Sequence, residues 1–159
     1  MKYVSKNCLH DFEFHDAEIS LVSVTDDCLT LEVEYLNIHS DAIQNPFETD
    51  MEIKRAILVF EGFNAESYEI GRAWKKNIKG EYYTDEPQII FYADEAKRRF
   101  LNQLIPQVRV FYFGVNDENM YYMDGVGDDP FFMLHFYFDN VTVMWDEYKK
   151  EAWYTQMNN

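Results

Sequence analysis

A strict alternation of apolar and polar residues near the N-terminus most constrains how this chain can fold. Within residues 14–35, FHDAEISLVSVTDDCLTLEVEY, every second position of the latter half is apolar, namely Leu29, Leu31, Val33 and Tyr35. A period of two predicts a strand with one buried face. The preceding run, residues 19–24, is apolar at positions of both faces, which predicts a strand deeper in a sheet. The Asp-Asp dipeptide between the two runs predicts a tight turn, so we expect a β-hairpin.

The remaining apolar runs predict further strands and one helix. Strands are predicted over residues 51–63, 67–74, 88–92 and 107–115, with a second hairpin over 131–138 and 141–148 around Asp139 and Asn140. The helix is predicted at about residues 94–105, because Asp94 is a favoured N-cap residue and Pro106 ends the amphipathic pattern. The residues between these elements, 36–50 and 114–130, are predicted to form long loops.

This order of elements lacks the alternation of strands and helices that is typical of a parallel sheet. We therefore expect an α+β fold, mainly an antiparallel, twisted or curved β-sheet with one principal helix. Aromatic residues make up 18% of the chain, and such residues fit a pleated, half-buried surface. A length of 159 residues suits a single domain, residues 1–159, that buries a substantial core.

The charge of the chain is strongly negative and unevenly distributed. The net charge is −15, and residues 1–50 carry 11 acids against two bases. Residues 110–159 carry nine acids against two bases, whereas the middle of the chain is nearly balanced. Phosphate would be repelled by such a surface, so binding to nucleic acid or to an anionic membrane is disfavoured. A basic protein partner would instead be attracted, although acidity also serves simply to keep a protein soluble.

The cysteines and the apolar runs bear on the compartment of the protein. Cys8 and Cys28 can form one disulfide at most, and we expect two reduced thiols. The first residues, MKYVSKNCLHDFEF, lack the apolar run of a signal peptide. No segment approaches the roughly 18 apolar residues of a membrane span. These features predict a cytoplasmic protein without membrane contact.

Two histidine–aspartate dipeptides are the most suggestive chemical motif. Histidine beside a carboxylate can bind a divalent metal or act as an acid–base pair. His15 and Asp16 are therefore candidate catalytic residues, and His10, His15 and His135 are candidate metal ligands. They would serve a metal-assisted hydrolase. The alternative interpretation is a structural histidine at the entry to a strand, bonded to a backbone carbonyl or a carboxylate.

Several acidic residues are candidates for binding a protein partner. Glu32 and Glu34 lie on the polar face of the predicted hairpin, and Asp124, Asp128 and Asp129 lie in the second predicted loop. This loop does not match the ligand spacing of an EF-hand. The chain also has no P-loop and no G-x-G-x-x-G motif, so no cofactor is expected.

The segment 131–138, FFMLHFYF, is apolar on both faces of a strand. A strand of this kind usually lies centrally in a covered sheet, which predicts a core element. It can instead line a pocket for a small apolar ligand or form an exposed partner surface. A small apolar-ligand binder is therefore a further functional hypothesis.

Three short segments carry a resemblance to known proteins. They are residues 14–17 (FHDA), 143–148 (VMWDEY) and 151–154 (EAWY), and they resemble segments near the two ends of small, acidic, uncharacterised bacterial proteins. Some of these are immunity proteins, which neutralise a toxin by covering it. The resemblance implies a binding protein without catalysis. Our leading hypothesis is a cytoplasmic acidic protein of immunity type that recognises a basic protein partner.

Overall fold

The computed structural model of the protein describes residues 1–158, with side chains up to residue 155. Helix α1 spans Ala93–Gln103, and short 3-10 helices span Leu9–Asp11 and Trp153–Asn158. The strands are β1 (Tyr3–Lys6), β2 (Phe12–Glu13), β3 (Glu18–Val24), β4 (Cys28–Glu34), β5 (Asn37–Ile38), β6 (Met51–Ile53), β7 (Ala56–Glu61), β8 (Asn64–Ile70), β9 (Lys75–Lys76), β10 (Tyr82–Tyr83), β11 (Ile90–Tyr92), β12 (Val108–Val115), β13 (Tyr121–Val126), β14 (Phe132–Tyr137), β15 (Asn140–Trp145) and β16 (Tyr148–Glu151).

Most of the strands belong to one antiparallel sheet. Its ten strands have the order β1-β15-β7-β4-β3-β12-β13-β14-β8-β11. A second sheet of four strands has the order β16-β6-β5-β2, and β9 and β10 form a separate two-stranded ribbon. The predicted α+β class, with an antiparallel sheet and one principal helix, is therefore confirmed. No helix in residues 1–158 is long and apolar enough to cross a membrane.

The second predicted hairpin is wrong, because β14 and β15 do not pair with each other. β14 pairs with β8 and β15 pairs with β7, and in both cases the pairing is antiparallel. The segments 56–70 and 132–145 therefore form one long two-stranded ribbon that bends in the middle. Gly62 lies at this bend with φ +66°, opposite Asp139. Asp139 and Asn140 thus mark a bend in a continuing chain and not a reversal.

The bend brings the two halves of the main sheet face to face. The ring of Phe60 on β7 lies 6.0 Å from the ring of Phe136 on β14 and 5.0 Å from that of Phe138. Helix α1 closes this interior, since Phe100 lies 6.0 Å from Phe63 and 6.3 Å from Phe132. Burial of these aromatic rings contributes favourably to folding.

The interior is filled with side chains. Phe132, Leu134 and Phe136 are each at most 2% exposed, which confirms that this face of β14 belongs to the core. The cavity that remains among the core side chains has a volume of about 10 Å³. A cavity of that size holds about one water molecule, so this cavity is too small for an apolar ligand.

The predicted hairpin over residues 14–35 is confirmed, with two corrections. β3 and β4 pair along their length, and Leu29, Leu31 and Val33 are buried. The outer half of β3 is not deep in the sheet, since Val22 is 53% exposed; β3 pairs with β12 only near its start. Tyr35 lies beyond the end of β4, with φ +58° and a ring that is 43% exposed.

Two further predictions failed near the helix and the second loop. The N-cap residue of α1 is Tyr92, and Asp94 lies in the first turn of the helix. The predicted loop over residues 114–130 contains strand β13, which pairs with β12 and β14. Its aspartates led to the loop prediction, but alternate side chains of the strand, Met123 among them, are buried in the core.

Candidate functional site

The outer surface of β12, β13 and β14 carries several exposed aromatic side chains. β12 contains a bulge between Val110 and Tyr112, and the side chains of Phe111 and Tyr112 are both exposed as a result. Phe131 and Tyr137, at either end of β14, are 57% and 50% exposed. We call the surface formed by Phe111, Tyr112, Phe131 and Tyr137 the aromatic face.

Contacts among the aromatic rings organise this surface. The ring of Tyr112 stacks on that of Tyr122 at 5.2 Å between centroids, and the ring of Phe111 lies 5.8 Å from that of Phe131. A Cβ atom at Gly114 would lie 2.8 Å from Cε1 of Tyr112, so the absence of a side chain at Gly114 gives the stacked ring its space. The aromatic face therefore contains two pairs of neighbouring rings, and Tyr137 lies at the far end of β14 from Phe131.

Asp124 lies beside this patch, on the outer surface of β13. Its neighbours Met123 and Gly125 are buried, and alternation along the strand directs Asp124 to the other side. Its pairing partners on the adjacent strands are Tyr112 and Met133. Oδ1 of Asp124 is buried and accepts no hydrogen bond from any residue that the structure describes.

A cleft of about 260 Å³ opens next to Asp124. We call it the Asp124 cleft, and its lining consists of Glu69, Gly71, Arg72, Trp74, Asp124, Phe131, Phe132 and Met133. Burial raises the pKa of the Asp124 carboxyl, and only the nearby His135 acts in the opposite direction. The cleft therefore holds an acid that has no hydrogen-bonded or salt-bridged partner among the residues that the structure describes.

The other predicted binding residues lie in different places on the protein. Asp128 is exposed in the turn between β13 and β14, whereas Asp129 accepts a hydrogen bond of 2.8 Å from Tyr68. Glu32 lies 3.4 Å from Nη1 of Arg55, and Glu34 is exposed on the same strand, β4. Since β3 and β12 separate β4 from β13 in the sheet, the two predicted groups lie apart.

The candidate catalytic residues His15 and Asp16 lie at the entry to β3. Nδ1 of His15 donates to the carbonyl oxygen of Phe111 at 2.7 Å, and Nε2 lies 3.7 Å from Oδ2 of Asp16. Asp16 has φ +66°, and its backbone N–H donates to Val110. The hydrogen bond of His15 to a backbone carbonyl fits the structural interpretation of this histidine.

Asp16 also borders a second cleft of about 280 Å³, where the cations already have partners. Arg109 pairs with Glu18 in this cleft. Glu52 is 3% exposed and lies 2.7 Å from the ammonium of Lys149 and 3.4 Å from that of Lys150. These contacts satisfy the buried carboxylate, and they join β6 to β16.

The candidate metal ligands have separate partners. His10 lies 3.3 Å from Asp11 and is largely exposed, whereas His135 contacts the hydroxyl of Ser67 at 3.3 Å. Residues 1–158 contain no group of three His, Cys, Asp or Glu side chains arranged to hold a metal ion. The metal-assisted hydrolase therefore stays a prediction without a geometric site to support it.

His39, which is not among the predicted catalytic or metal-binding residues, has a hydrogen-bonded carboxylate partner. Nδ1 of His39 lies 3.0 Å from Oδ2 of Asp50, which also accepts from the hydroxyl of Tyr154 at 2.8 Å. The backbone N–H of Ser40 donates to Oδ1 at 2.8 Å. These bonds join the loop 39–50 to the C-terminal 3-10 helix. The 11-residue separation of His39 from Asp50 gives no local signal.

Comparisons with models of known protein families, with curated proteins and with solved structures found no match to this chain. The site must therefore be interpreted from its own geometry.

Proposed function

We propose that this protein is a non-catalytic, cytoplasmic binding protein of immunity type, which recognises a basic protein partner through the aromatic face. The observation that carries the proposal is the presence of four exposed aromatic side chains, Phe111, Tyr112, Phe131 and Tyr137, on the sheet surface that also holds the unpartnered carboxyl of Asp124. Aromatic residues are enriched in protein interfaces, and large exposed apolar patches are uncommon on monomeric proteins.

The charge of the surface supports a basic partner. Most lysines and arginines of the chain pair with acids of the same chain, as Arg109 does with Glu18 and Lys75 with Asp85. The excess acids, which give the net charge of −15, are thus left to face the solvent. Such a field speeds the encounter with a cationic protein and weakens as salt is added.

The rigidity of the aromatic face also suits recognition. Tyr112 and Tyr137 lie at paired positions of the main sheet, Phe131 directly precedes β14, and the inner side of β14 is buried in the core. A surface held by a packed core loses little conformational freedom on binding, which favours affinity.

The test is affinity capture from native host lysate with three tagged baits. These are the wild-type protein, the Phe131→Ser variant and an Ile43→Ser variant. Ile43 is 95% exposed in the loop 39–50, so its replacement is a matched loss of an exposed apolar side chain elsewhere. We expect a stoichiometric basic partner on the wild-type and Ile43→Ser baits, lost as salt rises, and little of it on Phe131→Ser.

Either of two results would overturn the proposal. One is the recovery of no specific partner on any bait. The other is a partner whose capture is insensitive both to salt and to Phe131→Ser, because neither the charge nor the aromatic face would then contribute.

A further inference from the structure

The Asp124 cleft is constructed by a close approach of two chain segments. The N–H of Gly71, just after β8, donates to the carbonyl oxygen of Phe131 at 2.7 Å. A Cβ atom on Gly71 would overlap the side chain of Phe131, so the two segments can approach this closely only with glycine at that position. The position of Phe131 over the cleft therefore depends on a specific residue of a distant segment.

The carboxyl of Asp124 is the group of the cleft that lacks a partner. Its Oδ1 is buried without a hydrogen-bond donor among the described residues, and no cation lies within salt-bridge distance of its side chain in that part of the chain. A buried acceptor without a donor is costly to the folded state. Asp124 as a whole is only partly buried, so a positively charged donor that enters from the solvent would reach its carboxylate through the other oxygen, Oδ2, and compensate the charge.

Arg72, which lines the cleft, is already paired. Nη2 of Arg72 lies 3.5 Å from Oε1 of Glu69, and its guanidinium lies 5.4 Å from the centre of the Trp74 ring. Once Arg72 is paired with Glu69, the charge of Asp124 is left uncompensated. The contact between Arg72 and Trp74 also shows that a guanidinium can lie over an aromatic wall of this cleft.

We propose that the Asp124 cleft binds the guanidinium group of one arginine side chain from the basic partner. Asp124 would pair with the charge, and the exposed face of Phe131 would lie over the planar group. Guanidinium suits this place better than ammonium, because it is planar, stacks on aromatic faces and forms directional bonds to a carboxylate. This inference rests on the proposed function, since it names the side chain that the partner would insert.

The test is a titration of the isotope-labelled protein with the tripeptide acetyl-Gly-Arg-Gly-amide, followed by NMR. We expect saturable shifts of the backbone N–H of Gly71 and Met133 and of the indole N–H of Trp74. The same tripeptide with citrulline in place of arginine keeps the shape and loses the charge, and we expect it to cause no shifts. A lysine tripeptide should bind more weakly than the arginine tripeptide.

Two variants locate the effect. Asp124→Asn should weaken binding of the arginine tripeptide by about tenfold or more, the loss expected for one charge-assisted hydrogen bond. Asp41→Asn makes the same change at an exposed acid of the loop 39–50, outside the lining of the cleft, and should bind as the wild type does. Shifts confined to other surfaces, equal binding by the citrulline or lysine tripeptide, or equal binding by Asp124→Asn would overturn the inference.

The two proposals can fail separately. If lysate capture succeeds and depends on Phe131 while the tripeptide does not bind, the proposed function stands and the arginine anchor is wrong. If the tripeptide binds through Asp124 while no bait captures a partner, the cleft recognises guanidinium and the proposal of a protein partner fails.

Discussion

The hydroxyl of Tyr68, whose side chain is completely buried, donates a hydrogen bond of 2.8 Å to Oδ2 of Asp129. Oε1 of Gln103 accepts from the backbone N–H of Asp129 at 2.9 Å. Asp129 thus joins β8 and helix α1 to the turn between β13 and β14. Its sequence position suggested a residue for partner binding, but its contacts are those of a structural residue.

Removal of this hydroxyl should destabilise the fold. Tyr68→Phe leaves the ring in place and removes the donor to Asp129, so we expect a loss of about 1–2 kcal/mol in the free energy of unfolding. Urea denaturation at neutral pH measures the change. Tyr137→Phe is the control, because Tyr137 is half exposed, and its effect should stay within about 0.5 kcal/mol. Equal effects of the two variants would contradict the role given to Tyr68.

The same tyrosine should make the fold sensitive to alkali. Burial, followed by the hydrogen bond and the charge of Asp129, raises the pKa of Tyr68 well above its usual value. The unfolded chain then loses this proton at a lower pH than the folded chain. Stability should therefore fall as the pH rises above about 10, and Tyr68→Phe should show a shallower fall in urea denaturation at high pH.

Gly62 is required by the bend of the long ribbon. It has φ +66°, and a Cβ atom there would overlap the carboxylate of Asp139. Gly62→Ala should lower the free energy of unfolding by about 2 kcal/mol, from backbone strain together with displacement of the exposed Asp139 carboxylate. Gly80→Ala is the matched control, because Gly80 has φ +85° but its nearest contact would be 3.7 Å away.

Gly80→Ala should therefore lower the free energy of unfolding by about 1 kcal/mol, from backbone strain alone. Adding Asp139→Ala to Gly62→Ala should restore part of the lost stability, since it removes the overlapping carboxylate. If Gly62→Ala and Gly80→Ala were equally stable, the close approach of Gly62 to Asp139 would not govern the bend.

Asp50 should contribute stability that is lost in acid. Burial alone raises the pKa of its carboxyl, but hydrogen bonds from His39, Tyr154 and Ser40 outweigh burial and lower that pKa below its usual value. The unfolded chain then takes up a proton at a higher pH than the folded chain. The contribution is complete above the usual pKa of 3.8 and is lost as the pH falls through the lower, folded-state pKa.

Asp50→Asn should therefore lower the free energy of unfolding by about 1–3 kcal/mol at neutral pH. The difference between variant and wild type should shrink as urea denaturation is repeated towards about pH 3. Asp41→Asn is the control, since Asp41 is exposed in the same loop, 39–50, and should show neither effect. A difference for Asp50→Asn that is constant with pH would contradict the role of its ionisation.

Local sequence patterns predicted those strands and helices in which the spacing of apolar residues matches the buried face. The alternation of Leu29, Leu31 and Val33 predicted one face of β4, and the amphipathic pattern that ends at Pro106 predicted the helix. The bend at Asp139 could not be predicted in this way. The residue with the left-handed backbone conformation at this bend is Gly62, on the neighbouring segment. Turn-forming residues such as Asp139 and Asn140 do not show whether the chain reverses direction or continues.

The candidate site was predictable only in part, for a similar reason. Asp124 was predicted as a binding residue, but in a loop, because its burial depends on pairing with β12 and β14. Trp74 and Phe131 were predicted as parts of unrelated segments. Trp74 and Phe131 line the same cleft because β8 pairs with β14, which joins residues more than 50 positions apart. A local sequence pattern does not predict a pairing at that separation.

Replacement of Asp124 by Asn should weaken binding of the arginine tripeptide and should stabilise the free protein. Burial raises the pKa of the Asp124 carboxyl, and the charged or titratable groups around it are His135, Tyr112, Tyr122, Glu69 and Arg72. Since the folded chain holds this proton more tightly than the unfolded chain, stability falls as the pH rises from about 3.8 through the raised pKa. Above that range the ionised carboxylate lowers the stability of the folded protein.

Asp124→Asn should therefore stabilise the free protein at neutral pH, by up to about 1 kcal/mol after allowance for its partial exposure. Asp41→Asn should leave the free energy of unfolding unchanged. An acid that weakens the fold and yet is needed for binding the arginine tripeptide is the combination expected of a functional residue. If Asp124→Asn instead destabilised the protein, the carboxylate would have a structural partner, and the cleft would have no uncompensated charge to offer.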